Sequence, residues 1–212
     1  MIKHFVCCAV LVLAGSGCVT DDDTVSEVRN DDAWRLTFSS GGESAQNPTF
    51  SPDGNFVLFT RFMDGYNNPP SELVKINIGT GEETVVIAAS GDVENINSPG
   101  SSWINGRICW SSDMAGGTNE IYTADDNGTG VVQVTDHPES EGYYIEPVFN
   151  PVNTDKIVFE YGASDQPPHH IAIVEVDENS RVTLLTSDPD CDDRLLVFRR
   201  AENTVSAGGY RK

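Results

Sequence analysis

One pattern constrains this chain more than any local motif: an aromatic residue, a tight turn and a short apolar strand ending in a second aromatic recur about 50 residues apart. The first copy is Phe50-Ser51-Pro52-Asp53-Gly54-Asn55-Phe56-Val57-Leu58-Phe59 and the second is Trp103-Ile104-Asn105-Gly106-Arg107-Ile108-Cys109-Trp110. The third is Phe149-Asn150-Pro151-Val152-Asn153-Thr154-Asp155-Lys156-Ile157-Val158-Phe159. Recurrence at this interval points to stacked β-units rather than one globular enzyme core, because each unit is a small sheet that cannot bury its own apolar face.

The remainder of each unit keeps step with the aromatics. An alternating strand follows, at Glu72-Leu73-Val74-Lys75-Ile76-Asn77, Glu120-Ile121-Tyr122-Thr123-Ala124-Asp125 and His170-Ile171-Ala172-Ile173-Val174-Glu175. A turn rich in Gly, Asn or Asp then leads to a strand of Val, Leu and Thr: Thr84-Val85-Val86-Ile87, Val131-Val132-Gln133-Val134 and Val182-Thr183-Leu184-Leu185. A hydrophobe followed by Thr closes two of these, Val134-Thr135 and Leu185-Thr186, and the same pair stands upstream as Leu36-Thr37.

Four short strands per unit, joined by turns, predict an all-β fold: a partial β-propeller of about three four-stranded blades plus an incomplete fourth, open rather than closed. A β-sandwich is the alternative, but it has no need of so regular a recurrence. The blades are expected over residues 34–198. One further period places Leu195-Leu196-Val197-Phe198 as the inner strand of a fourth unit, and residues 199–212, which lack the Pro-Asp-Gly-type turn, read as an irregular C-terminal tail. Closure protects the blade faces of a propeller, so an open row reads as a truncated product or one part of a larger ring.

Residues 1–17 read as a leader. Lys3 and His4 precede the apolar run Phe5 to Ala14, which is too short for a membrane-spanning helix, and Gly15-Ser16-Gly17 lead to Cys18. This resembles a bacterial lipoprotein signal, in which Cys18 becomes the lipidated N-terminus; Gly15 stands where that signal usually has Leu. An ordinary signal peptide with a free Cys18 is the alternative. Residues 18–33, acidic and poor in apolar side chains, read as a disordered tether. Val19, rather than Asp, after the Cys implies by the same resemblance an outer-membrane destination.

Asn47-Pro48-Thr49-Phe50-Ser51-Pro52-Asp53-Gly54, followed by Phe56-Val57-Leu58-Phe59-Thr60, resembles the Pro-x-aromatic-Ser-Pro-Asp-Gly signature of the TolB-type, WD40-like propellers. Glu146-Pro147-Val148-Phe149-Asn150-Pro151 is a degenerate copy and Ser102-Trp103-Ile104-Asn105-Gly106 a weaker one. The Ser-Pro-Asp-Gly turn has a physical reason of its own: Pro52 presets φ, Asp53 caps the backbone and Gly54 accepts positive φ. The resemblance implies a six-bladed ring with a central channel in full-length relatives, and protein contact at the cell envelope.

The formal charge of −20, from 33 acidic against 13 basic residues, disfavours nucleic acid and anionic lipid headgroups as partners. No catalytic constellation stands out. Gly42-Glu43-Ser44-Ala45-Gln46 lacks the closing Gly of a nucleophile elbow. His169-His170 alternate across a strand, so they do not converge on one metal. Asp125-Asp126-Asn127-Gly128 reads as a hairpin turn rather than a calcium loop, and the carboxylates of Asp188, Asp190, Asp192 and Asp193 as a solvated loop. Cys109 reads as a buried thiol and Cys191 as a loop thiol, a disulfide between them being the less favoured reading.

No catalytic, cofactor-binding or metal residue is therefore assigned. The expected function is that of a noncatalytic, lipid-anchored envelope scaffold whose loops contact a protein or glycan. Tyr66, Asn67, Asn68, Tyr143 and Tyr144 are the contact candidates, since Tyr and Asn combine area with adaptable hydrogen bonding; packing roles are the alternative. The rival class is a fragment of a propeller-containing enzyme, either a serine peptidase accessory domain or a polysaccharide lyase scaffold.

Overall fold

The computed structural model describes residues 35–89, 91, 96–97, 102–137, 142–163, 168–177, 180–199 and 204–211. The leader, Cys18 and the tether expected over 18–33 lie outside them. Every regular element described is a β-strand. The first sheet has the order β1 (Ser44–Phe50), β2 (Phe56–Phe62), β3 (Ser71–Asn77) and β4 (Glu83–Ile87). The second contains β5 (Ile96–Asn97), β6 (Trp103–Ile104), β7 (Arg107–Ser112), β8 (Glu120–Asp125) and β9 (Val132–Gln133). The third has the order β10 (Tyr143–Phe149), β11 (Lys156–Gly162), β12 (His169–Glu175) and β13 (Val182–Leu184). All pairings are antiparallel. β5 and β6 together take the place of a first strand, since they pair with opposite ends of β7.

Each turn after a leading aromatic is built by local side-chain chemistry. In the first, the Ser51 hydroxyl donates to Asp53 and accepts from the Phe56 amide, while Gly54 sits at φ 74°. Bonds from Ser51 and Asn55 hold the Asp53 carboxyl below its ordinary value. Asn105 and Gly106 both have positive φ, 49° and 74°, as a two-residue primed hairpin requires. In the third unit the Asn150 side chain takes over, accepting from the amides of Val152 and Asn153.

The first strands of the first and third sheets carry a further feature. Pairing slips between Gln46 and Thr49 and again between Ile145 and Val148, with Asn47 and Glu146 in the left-handed region at φ 52° and 54°. Pro48 and Pro147 follow them. Proline donates nothing to the ladder, so a bulge is where a strand tolerates it. The second unit has no proline two residues before its aromatic, and there the pairing with β7 is shared between the short pieces β5 and β6.

Alternation along the strands divides the core into layers between sheets. Leu58, Leu73 and Ile87 of the first sheet meet Trp103, Ile108, Trp110 and Tyr122 of the second. Cys109, Ile121 and Val134 of the second meet Tyr144, Phe149, Ile157 and Phe159 of the third. Two further clusters lie outside these two seams: Val57, Phe59, Val74 and Ile76, on which Leu36 packs, and Val148, Val158 and Ile171 on the far side of the third sheet. Stacked sheets with separate cores are what a propeller requires and a two-sheet sandwich does not.

The recurring hydrophobe–Thr pair has a structural role. Val134 and Leu185 return their amides to the carbonyls of Ile121 and Ile171, at 2.7 Å in each case. The hydroxyls of Thr135 and Thr186 then accept from the amides of the same two residues. One turn is also fixed by its neighbour: a Cβ on Gly128, at φ 85°, would stand 2.1 Å from the Val86 carbonyl of the preceding blade. Only glycine fits there.

The irregular tail expected over 199–212 is corrected by the structure: Thr204–Arg211 forms β15 and pairs along its length with β14 (Cys191–Arg199). The pairing slips between Arg194 and Leu196, as in the first strands of the first and third sheets. β14 lies against β10, β11 and β12, so this hairpin is a fourth sheet in the row.

Candidate functional site

The seams between blades are held by a repeated polar link at the start of each third strand. Ser71 Oγ donates to the Ile96 carbonyl at 2.8 Å and accepts from its amide at 2.7 Å. One unit later the Tyr144 amide donates to the Asn119 carbonyl at 3.3 Å. In the third unit the His169 amide donates to Asp192 Oδ1 at 2.9 Å, with the ring Nδ1 3.2 Å from the same oxygen. Each link reaches the first strand of the following sheet. Basic side chains add a second link: Lys75 lies 5.8 Å over the Trp103 ring and Arg107 5.5 Å over Phe149.

The second seam contains the densest polar cluster among the described buried residues. Glu120 takes one bond from the Thr135 hydroxyl, at 2.5 Å, and a second from the His137 amide at 2.9 Å. Its Oε1 also lies 2.6 Å from His137 Nδ1. His137 Nε2 meets the Gly142 carbonyl at 2.8 Å and the Thr118 hydroxyl at 3.1 Å, and the ring stacks on Tyr144 with centroids 4.1 Å apart. Gly142 is required by close approach, since a Cβ there would stand 2.6 Å from the Tyr161 ring.

Glu146, on the edge strand β10, carries a carboxyl displaced well above its ordinary range. Burial, reinforced by the like charge of Glu160 on the neighbouring strand, pushes its carboxyl up to about 7. Glu160 is itself buried. Glutamate rarely adopts the left-handed backbone that Glu146 holds, whereas asparagine, found at the equivalent position 47, does so readily. Strain and a raised carboxyl pKa together mark a candidate functional position. No motif in the sequence singles it out.

This raised value has a sign for stability. A carboxyl whose native pKa lies above its ordinary 4.5 supports folding while it is protonated, and that support is lost as pH rises through about 7. Glu146→Gln is therefore expected to flatten the fall in melting temperature between about pH 5 and pH 8. At the upper end it is expected to stabilise the protein by about 1–3 kcal/mol. Parallel thermal melts of both proteins across that range check it, and identical pH profiles contradict it.

The contact residues assigned from sequence separate into two groups. Tyr66 is 78% exposed, in the loop joining β2 and β3. Asn67 holds φ 53°, and Asn68 Nδ2 donates to both the carbonyl and the carboxylate of Asp64. Tyr144 is not a contact residue. It is 8% exposed and packs against His137, Phe159 and Tyr161, so its expected role is corrected to packing. Tyr143 is half-buried beside it.

The remaining candidates are occupied structurally. Cys109 and Cys191 are both thiols. Burial pushes the Cys109 thiol up, and its Sγ lies 3.4 Å from the Pro147 carbonyl. Ser44 opens β1. Asp126 accepts from Trp103 Nε1 and, through its carbonyl, from Lys75. Asp188 accepts from the Asp190 amide, and Asp192 serves the His169 link.

No family model matches the sequence, and no curated protein does. Solved structures do. A TolB-type chain of Agrobacterium tumefaciens superposes with a TM-score of 0.55 at 20% identity, over 69% of this chain and 50% of that one. TolB of Acinetobacter baumannii gives 0.54 at 20% identity, over 81% and 42%. An oligogalacturonate lyase solved in complex with manganese gives 0.52 at 14% identity, over 74% and 45%. The chain spans about half the length, or less, of each of these structures. Repeated four-strand sheets, seam cores and these superpositions agree: the described residues form an open, partial β-propeller of the TolB-like fold.

Proposed function

We propose that this chain is a noncatalytic propeller scaffold of the bacterial envelope, lipid-anchored through Cys18, that binds a protein or glycan through its blade loops. The observation that carries the binding role is the β2–β3 loop of the first blade, in which Tyr66 is largely exposed, Asn67 holds a positive φ and the Asn68 side chain ties back to Asp64. An exposed aromatic on a braced loop offers contact area at low entropic cost. The anchor rests on the sequence of residues 1–18, and the TolB likeness supports an envelope setting.

Two measurements test this. The full chain, expressed in a bacterial host with labelled palmitate, is expected to carry label and sediment with membranes, and Cys18→Ser is expected to abolish the label. Tyr66→Ala is expected to leave fold and label intact while weakening retention of envelope protein or glycan about tenfold or more. Unchanged retention removes the assigned loop.

A second reading is favoured by Glu146. A carboxyl titrating near neutrality serves general acid or base chemistry, and a propeller solved as an oligogalacturonate lyase is among the structural neighbours. On this reading the chain is part of a propeller enzyme. Turnover in a polysaccharide screen, abolished by Glu146→Gln, would select it over the scaffold.

A further inference from the structure

The sequence holds two Asn-Gly pairs, and both lie in turns of the second blade: Asn105-Gly106 joins β6 to β7, and Asn127-Gly128 stands between β8 and β9. An Asn-Gly pair is prone to attack by the glycine amide on the asparagine carboxamide, because glycine has no Cβ to hinder the approach of the two groups. The fold treats the two pairs differently. Asn127 is held: its Oδ1 accepts from the Thr129 amide at 2.9 Å and from the Thr129 hydroxyl at 2.7 Å. The Gly128 amide, which would be the attacking group, donates to the Asp125 carbonyl at 2.9 Å. Gly128 is also wedged against the Val86 carbonyl of the preceding blade, so that turn has no room to rotate. Asn105 is not held. It and Gly106 are both exposed, and the space about Gly106 is open. Among the described residues neither the Asn105 side chain nor the Gly106 amide takes part in a hydrogen bond.

We propose that Asn105 is a site of spontaneous deamidation, from which Asn127 of the same blade is protected. The deprotonated amide nitrogen of Gly106 attacks Cγ of Asn105. The new N–Cγ bond forms as the Cγ–Nδ2 bond breaks, and Nδ2 takes up protons and leaves as ammonia. Water then opens the cyclic imide at either carbonyl, leaving aspartate or β-linked isoaspartate at position 105. The change falls on a turn that ties into the first seam. The Gly106 carbonyl accepts from the Asp126 amide at 2.8 Å, and Asp126 Oδ2 accepts from Trp103 Nε1 at 3.1 Å. The Asp126 carbonyl in turn accepts from Lys75 of the first blade at 3.1 Å. A β-linked residue adds one backbone carbon to a two-residue turn whose length sets the pairing of Ile104 with Arg107, so the Asp126 turn loosens with it.

Peptide mapping by mass spectrometry tests this on the full chain, kept folded at mildly alkaline pH and sampled over days. Asn105 is expected to gain the mass of deamidation, with isoaspartate among its products, about tenfold or more faster than Asn127, whose hydrogen bonds must break first. In urea the two sites are expected to react at similar rates, because the difference lies in the fold and not in the dipeptide. Equal rates in the folded protein, faster change at Asn127, or an Asn105 that stays intact each overturns the proposal. In protein modified at Asn105 the Asp126 amide is expected to exchange with solvent faster than in fresh protein. Unchanged exchange there overturns the effect on the seam.

Discussion

Phe149→Ala is expected to cost about 3–5 kcal/mol of unfolding free energy, while Phe50→Ala, at the same position of the repeat, is expected to cost less than about 0.5 kcal/mol. The difference comes from the neighbour, not the residue. Phe149 fills the seam with Cys109, Ile121, Ile157 and Phe159, and Arg107 lies over its ring. Truncation leaves a cavity lined by side chains that belong to two sheets, and partial relaxation cannot close it. Phe50 is largely in water already, so its removal gives up little burial. Urea denaturation of both variants at low protein concentration measures the contrast. Equal costs would mean that the sheets do not stack in chain order.

The stacking itself is legible because the leading aromatics and the strands of Val, Leu and Thr recur in step along the chain. The spacing of Phe50, Trp103 and Phe149 set the order of the blades, whereas the uninterrupted apolar run Phe56-Val57-Leu58-Phe59 did not say which face met which neighbour; the structure buries Leu58 in the first seam and Phe59 on the opposite face. The second strand of the fourth sheet was not legible. Ala207, Gly208 and Gly209 have poor strand propensity, and pairing with β14 overrides it. Propensity describes a segment alone, whereas a ladder is a property of two.

The sites were less legible for the same reason. Tyr66 could be placed in a loop by the Asp64-Gly65 and Asn67-Asn68-Pro69 signals that surround it. Tyr144 has an equally polar neighbourhood in sequence, and its burial depends on His137 reaching back across the seam. The raised carboxyl of Glu146 depends first on its burial and then on Glu160, fourteen positions later, being folded beside it by the β10–β11 hairpin. Its left-handed backbone is forced by the bulge rather than preferred by the residue. Nothing in the local sequence announces either condition.

The seam between the second and third blades yields the other large effect. Glu120→Ala is expected to destabilise the protein by about 3–5 kcal/mol, because it removes the acceptor of the Thr135 hydroxyl and the His137 amide and the carboxylate that lies 2.6 Å from the buried His137 ring. Glu120→Gln keeps an acceptor oxygen for one of those donors and is expected to cost about 1–3 kcal/mol. His137 is the link through which the loss spreads. Its ring stacks on Tyr144 and its Nε2 contacts Gly142, both at the start of the third blade. A double-mutant cycle between Glu120→Gln and His137→Gln is therefore expected to give a coupling above about 1 kcal/mol. Hydrogen exchange at the Tyr144 amide, which bonds to the Asn119 carbonyl across the same seam, is expected to accelerate in Glu120→Ala. A cost below about 1 kcal/mol, with Tyr144 still protected, would mean that apolar packing alone holds the blades together and that the buried carboxylate is dispensable to the seam.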